Sequence, residues 1–197
     1  MGKWRYIVMS LFFLSVYVIH VRAQYHYSQY FSSPLQINPA QTGYFDYGYR
    51  VAAVYRNQWG TDNNPFKTIS GSFDARILGD RMNNKLGVGV VASSDQSNYD
   101  AFSNNALAFS SAYNMGLSAD NNVELGVGLQ LQYNQRRINP SSLTFASQFQ
   151  SGGFNTSVVT PEMAMATTKS YMSVNAGMLL NIKSPTGNGF YIGAALY

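Results

Sequence analysis

The chain has no cysteine among its 197 residues, and it has little charge and little histidine. Without cysteine, disulfide frameworks, zinc ribbons, iron–sulfur sites and thiol nucleophiles are excluded. Charged residues make up 11% of the chain, less than half of the roughly 25% that is usual in soluble domains. The two histidines leave little for histidine-based metal or acid–base chemistry. The acidic residues are scattered singly, without metal-ligand spacing, so the sequence predicts no metal, no cofactor and no enzyme activity.

Aromatic and other hydrophobic residues are abundant instead. Hydrophobic residues form 46% of the chain and aromatic residues 15%, with 15 tyrosines and 12 phenylalanines. This composition argues against a disordered chain, and the length suits one domain with a real core.

The first residues have the organisation of a signal peptide. Lys3 and Arg5 precede an apolar run from Ile7 to Ile19, and Val21-Arg22-Ala23 places small or apolar side chains at a cleavage site. The run is short for the roughly 20 apolar residues that a spanning helix needs. We therefore expect residues 1–23 to be a cleaved signal peptide rather than an uncleaved anchor.

The formal charge of +4 belongs mostly to this predicted signal peptide. The peptide holds three of the 13 Lys and Arg residues, which leaves 10 basic residues against 9 acidic ones. Beyond Arg136-Arg137 the remaining chain has no basic cluster, so the sequence lacks the electrostatic pattern of a nucleic-acid-binding protein.

Apolar residues recur at every second position in several segments, which is the period of a β-strand and not of a helix. In 122–134, six apolar residues alternate with Gly, Glu, Gln and Asn. The same period predicts seven strands in all, at 49–58, 68–77, 85–93, 105–115, 122–134, 171–182 and 190–197.

The predicted polar faces are rich in Gly, Ser, Asn and Gln rather than in Lys and Glu, which suits a crowded interior with the apolar face turned to lipid. The sequence therefore predicts an all-β, antiparallel outer-membrane β-barrel, with a soluble β-sandwich as the alternative. Residues 24–45 would form an N-terminal connector or plug, and residues 46–197 a partial transmembrane β-barrel. Seven strands cannot close an even-stranded barrel. We expect either further strands in a longer protein or several chains that share one barrel.

Two groups of residues are candidate functional positions within this barrel. Opposite charges on the polar faces of neighbouring strands would form a lumen network; its members are Arg50, Arg56, Asp74 and Arg76. The longest connection, at about 135–170, is expected on the outer side of the membrane. Its candidate contact residues are Phe145, Phe149 and Phe154.

Three motifs, taken in order, resemble those of the PorP/SprF family of Bacteroidetes outer-membrane proteins. The family opens with S-Q-Y/F, continues with N-P-A-x-x-G and then has Y-R-x-Q-W. The matching residues here are Ser28-Gln29-Tyr30, Asn38, Pro39, Ala40, Gly43, Tyr55, Arg56, Gln58 and Trp59. Family members are usually longer, so the resemblance implies that C-terminal strands are missing.

The resemblance implies a role in type IX secretion and gliding motility at the cell outer membrane. It implies binding rather than catalysis, with outer-membrane lipid, secretion and gliding machinery proteins, and secreted adhesin or enzyme cargo as partners. The alternatives are a general porin or a soluble surface adhesion domain.

Overall fold

The computed structural model describes residues 32–45, 47–59, 65–78, 84–98, 100–118, 120, 122–140, 143–183 and 189–197. The predicted signal peptide at 1–23 and the Ser28-Gln29-Tyr30 motif lie outside the described residues.

Seven strands form one antiparallel sheet, and their order in the sheet is their order in the chain. These strands are β1 (Tyr49–Gln58), β2 (Phe66–Leu78), β3 (Asn84–Ser97), β4 (Phe102–Gly116), β5 (Val123–Ile138), β8 (Thr167–Lys183) and β9 (Gly189–Leu196). The two remaining strands, β6 (Phe149–Gln150) and β7 (Gly153–Phe154), form a small hairpin in the long connection. The sheet curls into a half-barrel, which confirms the prediction of an antiparallel all-β fold with seven strands.

The period-two pattern of the strands separates an apolar face from a polar one. Large apolar side chains such as Leu129 and Val174 lie on the convex face and are exposed. Polar side chains such as Gln130 and Asn175 lie on the concave face and are buried. A sheet that buries its amides and exposes its leucines matches a strand arrangement with lipid outside.

The helices among the described residues are single turns. They are an α-helical turn, Pro34–Ile37, and three 3-10 turns, Pro39–Gln41, Ala146–Gln148 and Pro161–Ala164. In this part of the chain no helix has the length and apolar character needed to cross a membrane.

Candidate functional site

The stretch 32–45, here called the inner segment, lies against the concave face of the sheet. Leu35, Ala40 and Thr42 have no exposed surface. The strands that pack against them, β3 and β5, come more than 40 residues later in the chain. Proline starts both helical turns of this segment, at the position where its missing N–H costs no hydrogen bond. The two prolines therefore favour the helical turns that the backbone of the inner segment adopts.

Asn38 joins the inner segment to the far side of the sheet. Its Oδ1 accepts a hydrogen bond from the Ala40 N–H at 2.9 Å and so caps the second turn. Its Nδ2 donates to the carbonyls of Met178 at 2.8 Å and Ala194 at 3.4 Å. One side chain thus holds a turn of the inner segment to both β8 and β9.

The inner segment lies on a row of small residues that crosses four strands. The pairing register places Gly87 beside Ala112, Ala112 beside Gly128, and Gly128 beside Gly177. We call these four residues the small-residue row. They leave a strip without large side chains across β3, β4, β5 and β8.

Backbone atoms of the inner segment fill this strip. A Cβ on Gly128 would lie 2.5 Å from the Pro39 carbonyl oxygen, and a Cβ on Gly87 would lie 2.6 Å from the Gly43 Cα. Real Cβ atoms do not make such close contacts, so only glycine fits at these positions. Gly43 itself has a φ of 68°, which favours glycine for a second reason.

Asp74 fixes the end of the inner segment nearest β1. This buried carboxylate accepts from the Gly43 N–H at 2.8 Å and from Arg50 at 3.0 Å through Nε and 2.8 Å through Nη2. Arg50 also donates to the Gln41 carbonyl at 3.1 Å. The bidentate pair is the strong form of an Arg–carboxylate contact, and here it also binds backbone.

A second carboxylate, Glu124, fixes the same segment at β5. The Tyr44 hydroxyl donates to it at 2.6 Å, and Lys85 forms an ion pair with it at 3.1 Å. Asn181 and Lys183 approach the same carboxylate at 3.2 Å and 3.5 Å. Burial, and then the hydrogen bond to Glu124, raise the pKa of Tyr44 above its ordinary value.

The structure brings together two of the four residues predicted for the lumen network. Arg50 and Asp74 lie directly opposite each other in the register of β1 and β2. Arg56 lies opposite Thr68, farther along the same face. Arg76 stacks its guanidinium on the Phe45 ring at 5.8 Å, a ring that Arg50 also covers at 4.9 Å.

The Tyr55–Trp59 motif is divided between the two faces of the sheet and the end of β1. Tyr55 is exposed on the convex face, whereas Arg56 lies on the concave face. Gln58 is the last residue of β1 and is exposed. Trp59 follows it at a φ of 53° and packs edge-on against Phe66, with ring centroids 5.3 Å apart.

The long connection between β5 and β8 presents two of its predicted contact residues. Phe149 and Phe154 pair across the β6–β7 hairpin and are 71% and 49% exposed. Phe145 is half-buried and precedes the turn that Gln148 organises. The buried Gln148 side chain accepts from the Phe145 N–H at 2.9 Å and donates to the Val158 carbonyl at 3.4 Å.

Sequence reasoning did not single out Tyr44, Glu124 or Asn181 as site residues. The sequence holds a weak signal for the surface under the inner segment: Gly87-x-Gly89 and Gly126-x-Gly128 have the spacing of strand glycines, which does not show what lies on them. The contacts of Gly126 and Gly128 with Pro39 and Ala40, like those of Gly87 with Thr42 and Gly43, depend on the path of the chain through the fold.

A curled antiparallel sheet with an apolar convex face and a polar concave face, occupied by the chain's own inner segment, defines a β-sheet membrane protein with a lined interior. The chain belongs to the family of type IX secretion system membrane proteins PorP/SprF, which it matches over residues 21–197. It is therefore a membrane component of type IX secretion. Comparison with curated proteins and with solved structures finds no match.

Proposed function

We propose that this protein is a non-catalytic outer-membrane component of the type IX secretion and gliding machinery. It aids export or surface anchoring of secreted adhesins or enzymes by binding them or their partners. The observation that carries this proposal is the inner segment, whose backbone fills the small-residue row. An outer-membrane location is supported by the apolar convex face and by the long connection at one end of the sheet.

The inner segment acts in this proposal as a fixed plug. It is held by two carboxylates, Asp74 and Glu124, and by hydrogen bonds to carbonyls of β8 and β9. A general porin needs a wide polar lumen, whereas here the polar face is occupied by the protein's own backbone. Cargo or machinery would therefore meet the ends of the strands and the long connection, not the interior.

The Phe149–Phe154 pair provides apolar contacts for such binding. Both rings are exposed on a hairpin that Gln148 holds in place by hydrogen bonds to the surrounding backbone. Exposed aromatic side chains on an ordered support are typical centres of protein interfaces.

A disulfide between the inner segment and the sheet tests whether the plug stays in place during export. The Thr42 and Ser110 hydroxyl oxygens lie 2.6 Å apart, and the chain has no other cysteine to compete. In the full-length protein, Thr42→Cys with Ser110→Cys should cross-link and still support cargo export at the level of the two single variants. Export that stops when the cross-link forms and returns on reduction would show that the interior must open.

Affinity capture from native outer membranes tests the binding role of the hairpin. Phe149→Ser with Phe154→Ser should reduce recovery of secretion-machinery proteins or a surface adhesin by about tenfold, because interface aromatics contribute strongly to binding. Gln150→Ala changes the same hairpin without removing an aromatic ring and should leave recovery unchanged. If the wild-type protein captures none of these partners, the proposed function is wrong.

A further inference from the structure

Two basic residues face each other directly where the sheet meets the long connection. The register of β5 and β8 places Arg136 opposite Lys169, and both side chains are exposed. Like charges at directly opposite positions destabilise a sheet. We call these two residues the mouth pair, because they lie on the concave face near the ends of β5 and β8 that lead into the long connection.

No carboxylate in the described part of the chain neutralises the mouth pair. The ion pairs found there are Arg50–Asp74 and the contacts of Glu124 with Lys85 and Lys183. In the described part of the connection, 143–166, the only acidic residue is Glu162, and Ser147 donates a hydrogen bond to it.

Asp95 is the acidic residue at the same level of the concave face. It pairs with Asn104 of β4, which in turn pairs with Arg136, so Asp95 is two strands from the mouth pair. Two strands span about 10 Å. On its other side Asp95 lies opposite Thr68, whose own partner is Arg56. By this register Asp95 is two strands from Arg56 as well, and among the described residues no ion pair joins Asp95 to Arg136 or Lys169.

Arg136 is also held in a defined position. Its guanidinium lies over the Tyr171 ring, 5.4 Å from the centroid, and its strand neighbour in β4 is the uncharged Asn104. A guanidinium fixed on an aromatic ring keeps its edge donors for a carboxylate, which it can bind in bidentate form.

The side of the sheet decides between a lipid and a polypeptide as the source of the anion. Strand alternation places Arg136 and Lys169 on the concave face with Asn134 and Asn175, and it places Arg137 on the convex, lipid-facing side. A lipid headgroup would meet Arg137, whereas a polypeptide that approaches the concave face would meet Arg136.

We propose that the mouth pair binds a carboxylate-bearing segment of a partner polypeptide, rich in Asp or Glu, at the end of the sheet where β5 and β8 lead into the long connection. This rests on the proposed function, because a plugged interior directs partners to this end of the sheet. It adds the chemistry of the partner, which the Phe149–Phe154 pair alone does not specify.

A peptide titration on the purified full chain in neutral detergent micelles tests this site. The probe is hexaglutamate with an uncharged fluorophore, followed by fluorescence anisotropy at low salt, with hexaglutamine as the uncharged comparison. Arg136→Gln with Lys169→Gln should weaken hexaglutamate binding at least about tenfold, since charge-assisted hydrogen bonds are the strong ones. Arg137→Gln removes a charge one residue away on the other face and should change binding less than about twofold.

Control measurements distinguish a specific peptide site from misfolding, from general surface charge and from lipid binding. Heat-modifiable gel mobility shows that each variant is folded. Equal losses in the Arg136 and Arg137 variants would reduce the site to general surface charge and overturn the proposal. Loss of binding to phosphatidylglycerol vesicles, with hexaglutamate binding intact, would assign the pair to lipid and overturn it too. Because the titration uses purified protein, its outcome is independent of the export and capture experiments.

Discussion

At the scale of single residues, packing inside this protein depends on glycines, which leave room for the inner segment where a side chain would collide with it. Asn38 uses its amide oxygen and both amide hydrogens, which is possible only because Gly177 leaves room beside it. The same holds at Gly128, where the Pro39 backbone occupies the space of a side chain. The hydrogen bonds of Asn38 and the close packing on glycine therefore depend on each other.

Adding one methyl group to the small-residue row should displace the inner segment. Gly128→Ala would overlap backbone atoms of Pro39 and Ala40, and overpacking of this kind costs about 1–3 kcal/mol. We expect faster proteolysis of residues 32–45 in the folded protein, measured by limited digestion in micelles.

Gly71→Ala is the matched control for this substitution. Gly71 also lies inside a strand, but no atom lies within 4 Å of the position its Cβ would take. Alanine there should leave digestion unchanged and stabilise the strand by about 0.5–1 kcal/mol. Equal digestion of the two variants would contradict the role assigned to the small-residue row.

At the scale of elements, the strands could be predicted because their signal is local. A period of two is visible within ten residues, and the predicted 49–58 has the same bounds as β1. The ends of β5 and β8 were missed because 135–137 and 167–170 are polar on both faces and show no alternation. The β6–β7 hairpin was missed because two-residue strands are too short for any period.

The site was less predictable than the strands. Arg50 and Asp74 lie on consecutive strands, so hairpin pairing alone suggested their contact. Tyr44 and Glu124 are 80 residues apart, and their contact requires knowledge of how the inner segment crosses the sheet. A local sequence pattern does not predict the Tyr44–Glu124 contact, since this contact depends on tertiary packing.

A charge placed on the convex face should show how deeply each strand lies in the membrane. Leu129→Lys in the middle of β5 should destabilise the membrane-embedded protein by about 2–4 kcal/mol, whereas Gln135→Lys on the same face near the strand end should cost about 0–1 kcal/mol. Urea unfolding in lipid vesicles, followed by heat-modifiable mobility, measures both. Similar costs for the two variants would mean that this face does not contact lipid.

At the scale of the whole molecule, the inner segment forms hydrogen bonds with several strands, not all of which pair with one another in the sheet. Asp74 of β2, Ser110 of β4, Glu124 of β5 and the carbonyls of β8 and β9 all bind it. The half-barrel is thus held from inside by one short stretch of chain.

The Thr42–Ser110 cross-link should therefore raise the stability of the whole sheet and not only of the segment. Closing the loop between these residues removes chain entropy from the unfolded state, worth at most about 4 kcal/mol. The oxidised double variant should unfold at a higher temperature than its reduced form, as seen in semi-native gels. Each single variant should show no difference between oxidised and reduced samples. A lower unfolding temperature after oxidation would indicate that the segment is not held at Ser110.

The contacts of Asn38 also lead to an expectation about the order of folding. They join it to residues 140 and 156 positions later in the chain, so the bond to Met178 requires β8 to be in place and the bond to Ala194 requires β9. Closing such long loops is entropically costly and comes late in folding. Residues 32–45 precede the sheet in the chain, yet the contacts of Asn38 depend on β8 and β9. A chain whose sheet is incomplete should therefore leave Asn38-Pro39-Ala40 more accessible to proteases.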